Sequence, residues 1–141
     1  MTSKELLLAG ALLYVCEGTK IRKDLRYKNT YIYAIEFTNS DPRIISLFLR
    51  FMIRGLKIDS SKIKGQLFIY PDLNQRGLIK VWSRKTNIPV EQFQKVIMLK
   101  PKVSKFKHNP LGTFKVRHTN KGKFLKLQSI IDGMWRDARV V

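Results

Sequence analysis

Cysteine is scarce in this sequence, and no cluster of cysteine and histidine is present. Cys16 is the single cysteine. One thiol excludes an internal disulfide, and the lack of a Cys/His cluster excludes a structural zinc site. A glycine-rich phosphate loop, a nucleophile elbow and paired-cysteine motifs are also absent, which excludes the enzyme and redox classes that depend on them. We expect an intracellular, reducing location, the cytoplasm.

Acidic residues are also few. The chain has 28 Lys+Arg against 10 Asp+Glu, a net charge of +18, while 44% of its residues are hydrophobic. That hydrophobic share is too high for a disordered basic tail, so the composition indicates a folded polycation. A field of this sign opposes folding through self-repulsion and is most simply explained by a polyanionic partner, nucleic acid before membrane. The alternative is a basic protein from an unusually basic proteome.

No apolar run is long enough to cross a bilayer. The most apolar stretch has no charge between Leu6 and Cys16, which falls short of the ~20 apolar residues that a membrane helix needs. It also lacks the basic start and small-residue cleavage site of a signal peptide, so we expect neither a membrane segment nor secretion. No internal repeat or low-complexity linker divides the 141 residues, and we predict one domain, 1–141.

This apolar stretch, residues 5–19, predicts a buried helix that ends in one acid. Helical spacing puts Gly10, Tyr14 and Glu17 on one face. The small residues Gly10 and Ala11 would let two helix backbones approach closely, so we predict that the helix packs against its own copy. The predicted dimer interface comprises Leu7, Gly10, Ala11, Leu13 and Tyr14.

Alternating and helical periods in the rest of the chain predict an α+β fold. Ser40 and Asn74 are candidate N-caps, and Pro42 suits a first helical turn. The predicted elements are a strand at 30–38, a helix from Ser40 to about Gly55, a strand at 62–70, a helix from Asn74 to about Thr86, a short strand and then a loop within 95–107, a strand at 112–119 and a closing helix from Phe124 to Trp135.

Basic residues recur in one loop and on one face of two strands. The segment 20–28 has five basic residues interleaved with apolar ones, and it is either a phosphate-contacting segment or a solvated loop. The strands at 62–70 and 112–119 alternate core residues with basic ones, which fits a sheet with helices on one side and nucleic acid on the other. We predict that His118 is a core or edge residue and not a catalytic base. The predicted nucleic-acid contacts are Lys20, Arg22, Lys23, Arg26, Lys28, Lys62, Lys64, Gln66, Lys115 and Arg117.

Two acids, Glu17 and Glu36, are embedded in apolar sequence. An ionised acid at the end of a buried helix is costly without a cation or hydrogen bonds, and a hard divalent ion such as Mg²⁺ prefers carboxylate and water ligands. One acid per chain is too few for most metal nucleases, but a homodimer would bring two Glu17 side chains together. The alternative is that Glu17 only ends the helix or pairs with Lys20.

Residues 10–18, GALLYVCEG, resemble the helix motif of the LAGLIDADG homing endonucleases, and NSDP at 39–42 is similar to a strand-to-helix junction common in that family. The positions that fit the motif are Ala11, Leu13, Glu17 and Gly18. Leu12 stands where the family usually has Gly, and Val15 where it often has the first acid. The order of elements and the charge extend the resemblance over nearly the whole chain.

The resemblance implies a LAGLIDADG-like αββαββα core whose antiparallel sheet lies in the DNA major groove. Members with a single motif act as homodimers, and each motif helix contributes its last acid to a central divalent-metal site. Carried over by position, that acid is Glu17, and Gly18 beside it belongs to the metal site and allows a tight exit toward the first strand. Lys100 and Lys102 are candidates for auxiliary catalytic residues.

The sequence thus predicts a homodimeric, Mg²⁺-dependent endonuclease that cuts both strands of a long, roughly palindromic double-stranded DNA site. An alternative on the same scaffold is a DNA- or RNA-binding regulator or splicing helper without cleavage activity, which the departure at Val15 leaves open. A third is a ribosome-associated basic protein, which would need neither Glu17 nor a dimer.

Overall fold

The computed structural model describes residues 1–100 and 109–139. These residues contain four α-helices and six β-strands. The helices are α1 Ser3–Glu17, α2 Pro42–Arg50, α3 Gln75–Thr86 and α4 Lys121–Asp137. The strands are β1 Arg22–Lys23, β2 Tyr31–Ile32, β3 Ala34–Asn39, β4 Lys64–Ile69, β5 Ile97–Met98 and β6 Thr113–Thr119. A π-helical turn, Phe51–Gly55, continues α2, and short 3₁₀ turns lie at Ser60–Lys62 and Val90–Gln92.

The main sheet has the strand order β3-β6-β4-β5. Strand β6 is antiparallel to both β3 and β4, which confirms the predicted α+β class. The prediction of an antiparallel sheet is wrong at one edge, since β4 and β5 run parallel. The physical reason is that α3 lies between them in the chain and carries it back across, and parallel neighbours need such a crossover.

A two-stranded antiparallel ribbon, β1 and β2, stands apart from the main sheet. The predicted strand at 30–38 is divided at Tyr33, so that β2 belongs to the ribbon and β3 to the sheet. The ribbon therefore leads directly into the strand at one edge of the sheet.

Helix α1 begins with a capping box, in which Thr2 and Glu5 each accept a hydrogen bond from the other's backbone N–H. Its side toward the core carries Gly10 and Ala11, which are buried inside their own chain. A Cβ atom added at Gly10 would lie 2.0 Å from the ring of Phe51. The close approach predicted between two copies is therefore made within one chain, which corrects the predicted interface at these positions.

The other predicted interface positions also lie against the core rather than on the open side of α1. Tyr14 is buried, and Leu7 and Leu13 are half-buried against the hydrophobic cluster. The open side instead exposes Leu8, Leu12 and Cys16. Because the helix is apolar all round between residues 6 and 16, its periodicity alone could not distinguish the two sides.

Helix α2 begins one residue later than predicted, because the Asp41 carboxylate, not Ser40, caps it through the Arg43 N–H at 2.8 Å. The inward side chains of α2, the π-helical turn and the sheet form one hydrophobic cluster, with Phe37 stacked on Phe48 at 4.3 Å between ring centroids. In the described part of the chain, no helix combines the length and the apolarity needed to cross a membrane.

Candidate nucleic-acid interface

The outward face of the sheet carries basic residues in adjacent strands. Lys115 and Arg117 alternate with buried residues along β6. The strand register places Lys64 of β4 opposite Arg117, and Gln66 opposite Lys115. Residues directly opposite one another in an antiparallel pair have Cβ atoms about 5 Å apart. Four predicted contacts thus form one block on the side of the sheet away from the hydrophobic cluster.

The inward face of β6 holds Phe114, Val116 and His118, as predicted. The imidazole of His118 is buried, with Nδ1 3.2 Å from the backbone oxygen of Lys62. His118 is therefore a core residue with a backbone partner, which agrees with its predicted role.

Glu36 lies on the edge strand β3 and contacts cations of both the ribbon and the basic block of the sheet. Its carboxylate Oε1 is 2.6 Å from Arg22 Nη2 and 3.3 Å from Arg117 Nη1, while Oε2 is 3.6 Å from Lys115 Nζ. The Glu36 side chain is only 5% exposed. Cross-strand pairing explains the contact, because Glu36 is opposite Arg117 in the ladder. One carboxylate thus forms ion pairs with three cations, one from the ribbon and two from the sheet.

The ribbon carries the basic segment 20–28 beyond the edge of the sheet. Asp24 is buried and accepts two hydrogen bonds from the Arg26 guanidinium, each 3.1 Å long, while its own N–H donates to Thr30. The Arg26 side chain holds the pKa of the Asp24 carboxyl below its ordinary value. Beside this closed turn Leu25 is 93% exposed. The tip of the ribbon is therefore an ordered turn that presents an apolar side chain among cations.

The basic residues of segment 20–28 differ in whether another group of the chain already binds their side chains. Arg22 is held by Glu36, and Arg26 by Asp24. Lys20 donates to the backbone oxygen of Val15 at 3.4 Å, at the end of α1, and the described residues show no ion pair between Lys20 and Glu17. Lys23 and Lys28 are exposed.

Glu17 is the last residue of α1 and is exposed. Its Oε2 accepts a hydrogen bond of 2.7 Å from Asn39 Nδ2, and the Asn39 Oδ1 accepts a bond of 2.8 Å from the Asp41 N–H. The backbone of the NSDP segment thereby fixes the Asn39 amide, which in turn orients the Glu17 carboxylate.

Gly18 follows Glu17 in an extended conformation, with φ −75°, and pairs with Phe37 beside β3. Its φ suits any residue, but a Cβ atom here would lie 2.3 Å from the Tyr14 ring. Glycine is therefore needed at this position because the Tyr14 ring occupies the space that a side chain would fill. This allows the chain to leave α1 tightly toward the sheet.

The oxygen atoms of Glu17 and of the backbone beside it are the kind of ligand that a hard divalent cation prefers. Mg²⁺ is commonly held by one or two carboxylates together with substrate phosphates and water, and Glu17 offers an exposed carboxylate next to the Gly18 backbone. Within residues 1–100 and 109–139, no three side chains of His, Cys, Asp or Glu come together as a metal-binding group. The metal-site prediction therefore depends on one carboxylate per chain.

The remaining predicted site residues are distant from Glu17 in the sequence. Lys62 ends a 3₁₀ turn and lines a shallow cleft with Lys64, Arg117 and His118. Lys100 is exposed at the end of the described range. Lys102 lies outside the described residues.

Sequence reasoning missed Glu36 and Asn39 as members of the site. Glu36 was visible as an acid within an apolar strand, but its three cations are supplied by strand pairing, which the strand pattern does not reveal. Asn39 was visible in the NSDP segment only as part of a helix start.

No protein-family model matches this sequence, and no similar curated protein or solved structure was found.

Proposed function

We propose that the chain binds double-stranded DNA through the outward face of its sheet and the adjoining ribbon. The observation that carries this proposal is the block of Lys64, Gln66, Lys115 and Arg117, joined to the ribbon through Arg22, on a chain of net charge +18. Cations in fixed positions neutralise phosphates, and Arg, Lys and Gln side chains also bind base edges in the major groove. A two-stranded ribbon is narrow enough to enter that groove.

The resemblance to the LAGLIDADG endonucleases supports a more specific proposal. If β2 and β3 are taken as one strand divided at Tyr33, the elements α1, β1, β2/β3, α2, β4, β6 and α4 follow the αββαββα order, with α3 and β5 inserted between β4 and β6. We propose that the protein acts as a homodimeric, Mg²⁺-dependent endonuclease on a long, pseudo-palindromic site. The open side of α1, with Leu8 and Leu12, would then supply the contact between copies.

In this proposal Glu17 provides the carboxylate for the metal, and Asn39 keeps that carboxylate at the end of α1. A bound Mg²⁺ would activate water and stabilise the leaving oxygen. Gly18 lets the chain turn away from this point without displacing Tyr14. Lys100 and Lys102 stay candidates for auxiliary basic groups.

Salt dependence tests the binding proposal. A dimer that makes at least six phosphate contacts should give a slope of about −5 or steeper when log K is plotted against log salt concentration. A nearly flat plot would refute the assignment of this face to nucleic acid.

Cleavage is tested on a site selected from random duplexes, with Mg²⁺ and with a chelator. Wild type should cut only with metal. Glu17→Gln keeps the shape and accepts the Asn39 hydrogen bond, so it should bind the same DNA with similar or higher affinity but not cut it, because the metal ligand is lost. Cleavage by Glu17→Gln at the wild-type rate would remove Glu17 from the site.

A second function, DNA or RNA binding without cleavage, is favoured by one observation. Gly10 and Ala11 are enclosed in their own chain, so the small residues that were expected to bring two Glu17 side chains together do not lie between copies. Tight, salt-dependent binding without cleavage in either the wild type or Glu17→Gln would select this function. Parallel binding curves with single-stranded RNA of the selected sequence would separate its DNA and RNA forms.

A further inference from the structure

A carboxylate among the cations of the proposed DNA-binding face needs an explanation, since it repels phosphate. Glu36 is such a carboxylate, and it is almost wholly buried among Arg22, Lys115 and Arg117. A structural salt bridge would require only one cation. Three cations on one carboxylate leave a local charge of +2, so the cluster still attracts an anion.

The geometry leaves donors available for a ligand. A guanidinium has five N–H donors, and Arg22 and Arg117 each direct one terminal nitrogen to Glu36 Oε1. The Arg22 side chain is 47% exposed and that of Arg117 is 31% exposed, whereas the carboxylate between them is covered. The two guanidinium groups therefore remain accessible to a ligand while the buried carboxylate fixes their positions, whereas the Lys115 side chain is only 17% exposed.

Fixing these side chains before binding matters for recognition. Long Arg and Lys side chains lose rotamer freedom when a partner immobilises them, and groups held in advance lose less. Mobile cations bind phosphates wherever these lie, whereas fixed guanidinium planes favour a ligand whose acceptors match their geometry.

We propose that Glu36 is a positioning residue that determines specificity. It holds Arg22, Lys115 and Arg117 in one arrangement and so favours one DNA sequence and shape over others. This inference rests on the proposed DNA binding, and it goes beyond it by assigning discrimination to an acid that does not itself bind phosphate.

Two substitutions separate position from charge. Glu36→Asp keeps the charge but is one methylene shorter, so it cannot hold all three cations in the same geometry. Glu36→Gln keeps the length but loses the charge, which releases the cations. Glu91→Gln is the matched control, because it removes one exposed carboxylate from a 3₁₀ turn outside this cluster.

The measurement is the ratio of affinities for a selected duplex and for a scrambled duplex of equal length, at several salt concentrations. We expect both Glu36 variants to lower the ratio by about tenfold, the scale of one lost base-pair preference. Glu36→Gln should also bind the scrambled duplex more tightly, with a salt slope steeper by about 0.9 for one more phosphate contact per chain, and so by about 1.8 for the proposed dimer. Circular dichroism at the assay temperature confirms that each variant is folded.

Three outcomes would overturn the inference. An unchanged ratio in Glu36→Asp would show that position does not matter. An equal change in Glu91→Gln would show that net charge alone acts. A wild type that binds both duplexes equally would have no discrimination for Glu36 to set, although DNA binding itself would stand. A wild type that binds neither duplex would instead refute the proposed function.

Discussion

At Gly10, helix α1 lies directly against the ring of Phe51. We predict that Gly10→Ala lowers the free energy of unfolding by about 1–3 kcal/mol, the usual effect of overpacking a core, because its Cβ would lie 2.0 Å from the ring. Chemical denaturation measures this change. Adding Phe51→Leu should recover part of the loss, since the two sites are in contact.

The control for Gly10 is Gly133, another helical glycine. There the nearest atom to an added Cβ is the flexible end of Arg136 at 3.8 Å. Gly133→Ala should therefore stabilise the chain by about 0.5–1 kcal/mol through helix propensity alone. Equal effects at the two glycines would contradict the Phe51 contact.

Tyr14 predicts a pH dependence that belongs to one side chain. Its hydroxyl donates to the backbone oxygen of Thr19 and lies 3.4 Å from that of Ala34, and burial raises its pKa to about 12 from 10.0. The unfolded chain loses this proton near pH 10 while the folded chain keeps it, so the stabilisation is complete below pH 10 and is lost between pH 10 and about 12.

Tyr14→Phe tests this dependence. The variant should be about 1 kcal/mol less stable than wild type at neutral pH, because the hydroxyl's hydrogen bond is lost. Its deficit should shrink from pH 10 to 12, as only the wild type has a phenol at this position to ionise. Denaturation midpoints that stay a constant distance apart over this range would contradict the assignment.

At the scale of whole elements, short-range signals were sufficient for helices with strong caps. Asn74 caps α3 through the Gly77 N–H as expected, and α3 ends at Thr86 as predicted. Two features depended on packing instead. The side of α1 that faces the core is set by Phe51, and the π-helical turn after α2 arises in a segment whose sequence looks continuously helical.

The open side of α1 gives a prediction for association. Leu12 on α1 and Leu125 on α4 are 50% and 49% exposed, so they form a matched pair. If α1 is the dimer contact, Leu12→Lys should yield monomers in sedimentation, and Leu125→Lys should not. Neither change should alter chain stability by more than about 0.5 kcal/mol. A dimer that survives Leu12→Lys would place the interface elsewhere, and a wild type that is monomeric on DNA would exclude a shared Glu17 site.

The ribbon gives a second prediction at this scale. Asp24→Asn weakens the paired hydrogen bonds that hold Arg26, so the turn should open more often and trypsin should cut faster at Arg26 and Lys28. Asp132→Asn serves as the control, because Asp132 accepts its hydrogen bond from Gln128 on α4, outside the ribbon. Equal cleavage rates at the ribbon in wild type and Asp24→Asn would show that Asp24 does not order it.

For the whole molecule, composition predicted a folded polycation, and the alternation of β4 and β6 predicted which of their side chains point outward. Neither the composition nor the alternation along single strands predicts which strands, distant in the sequence, pair with one another. The β6 strand lies between β3 and β4 although α3 and β5 precede it in the chain, and only this arrangement brings Glu36 to Arg117 and Lys64 to Arg117. The site was therefore predictable as a set of basic residues but not as a cluster with an acid at its centre.

The last prediction asks whether binding uses this face or the net charge of the whole chain. Lys23 and Lys64 are exposed on the ribbon and the sheet, whereas Lys80 and Lys126 are exposed on α3 and α4. Replacing either pair with Ala lowers the net charge by two. If the sheet face contacts DNA, the Lys23/Lys64 variant should lose affinity. Its salt slope should become shallower by about 1.8 for each bound chain, two contacts at about 0.9 each, and so by about 3.6 for the proposed dimer. The Lys80/Lys126 variant should keep the wild-type slope, because its charges act only through the screened long-range field. Equal losses in the two variants would mean that DNA meets no preferred face of the molecule.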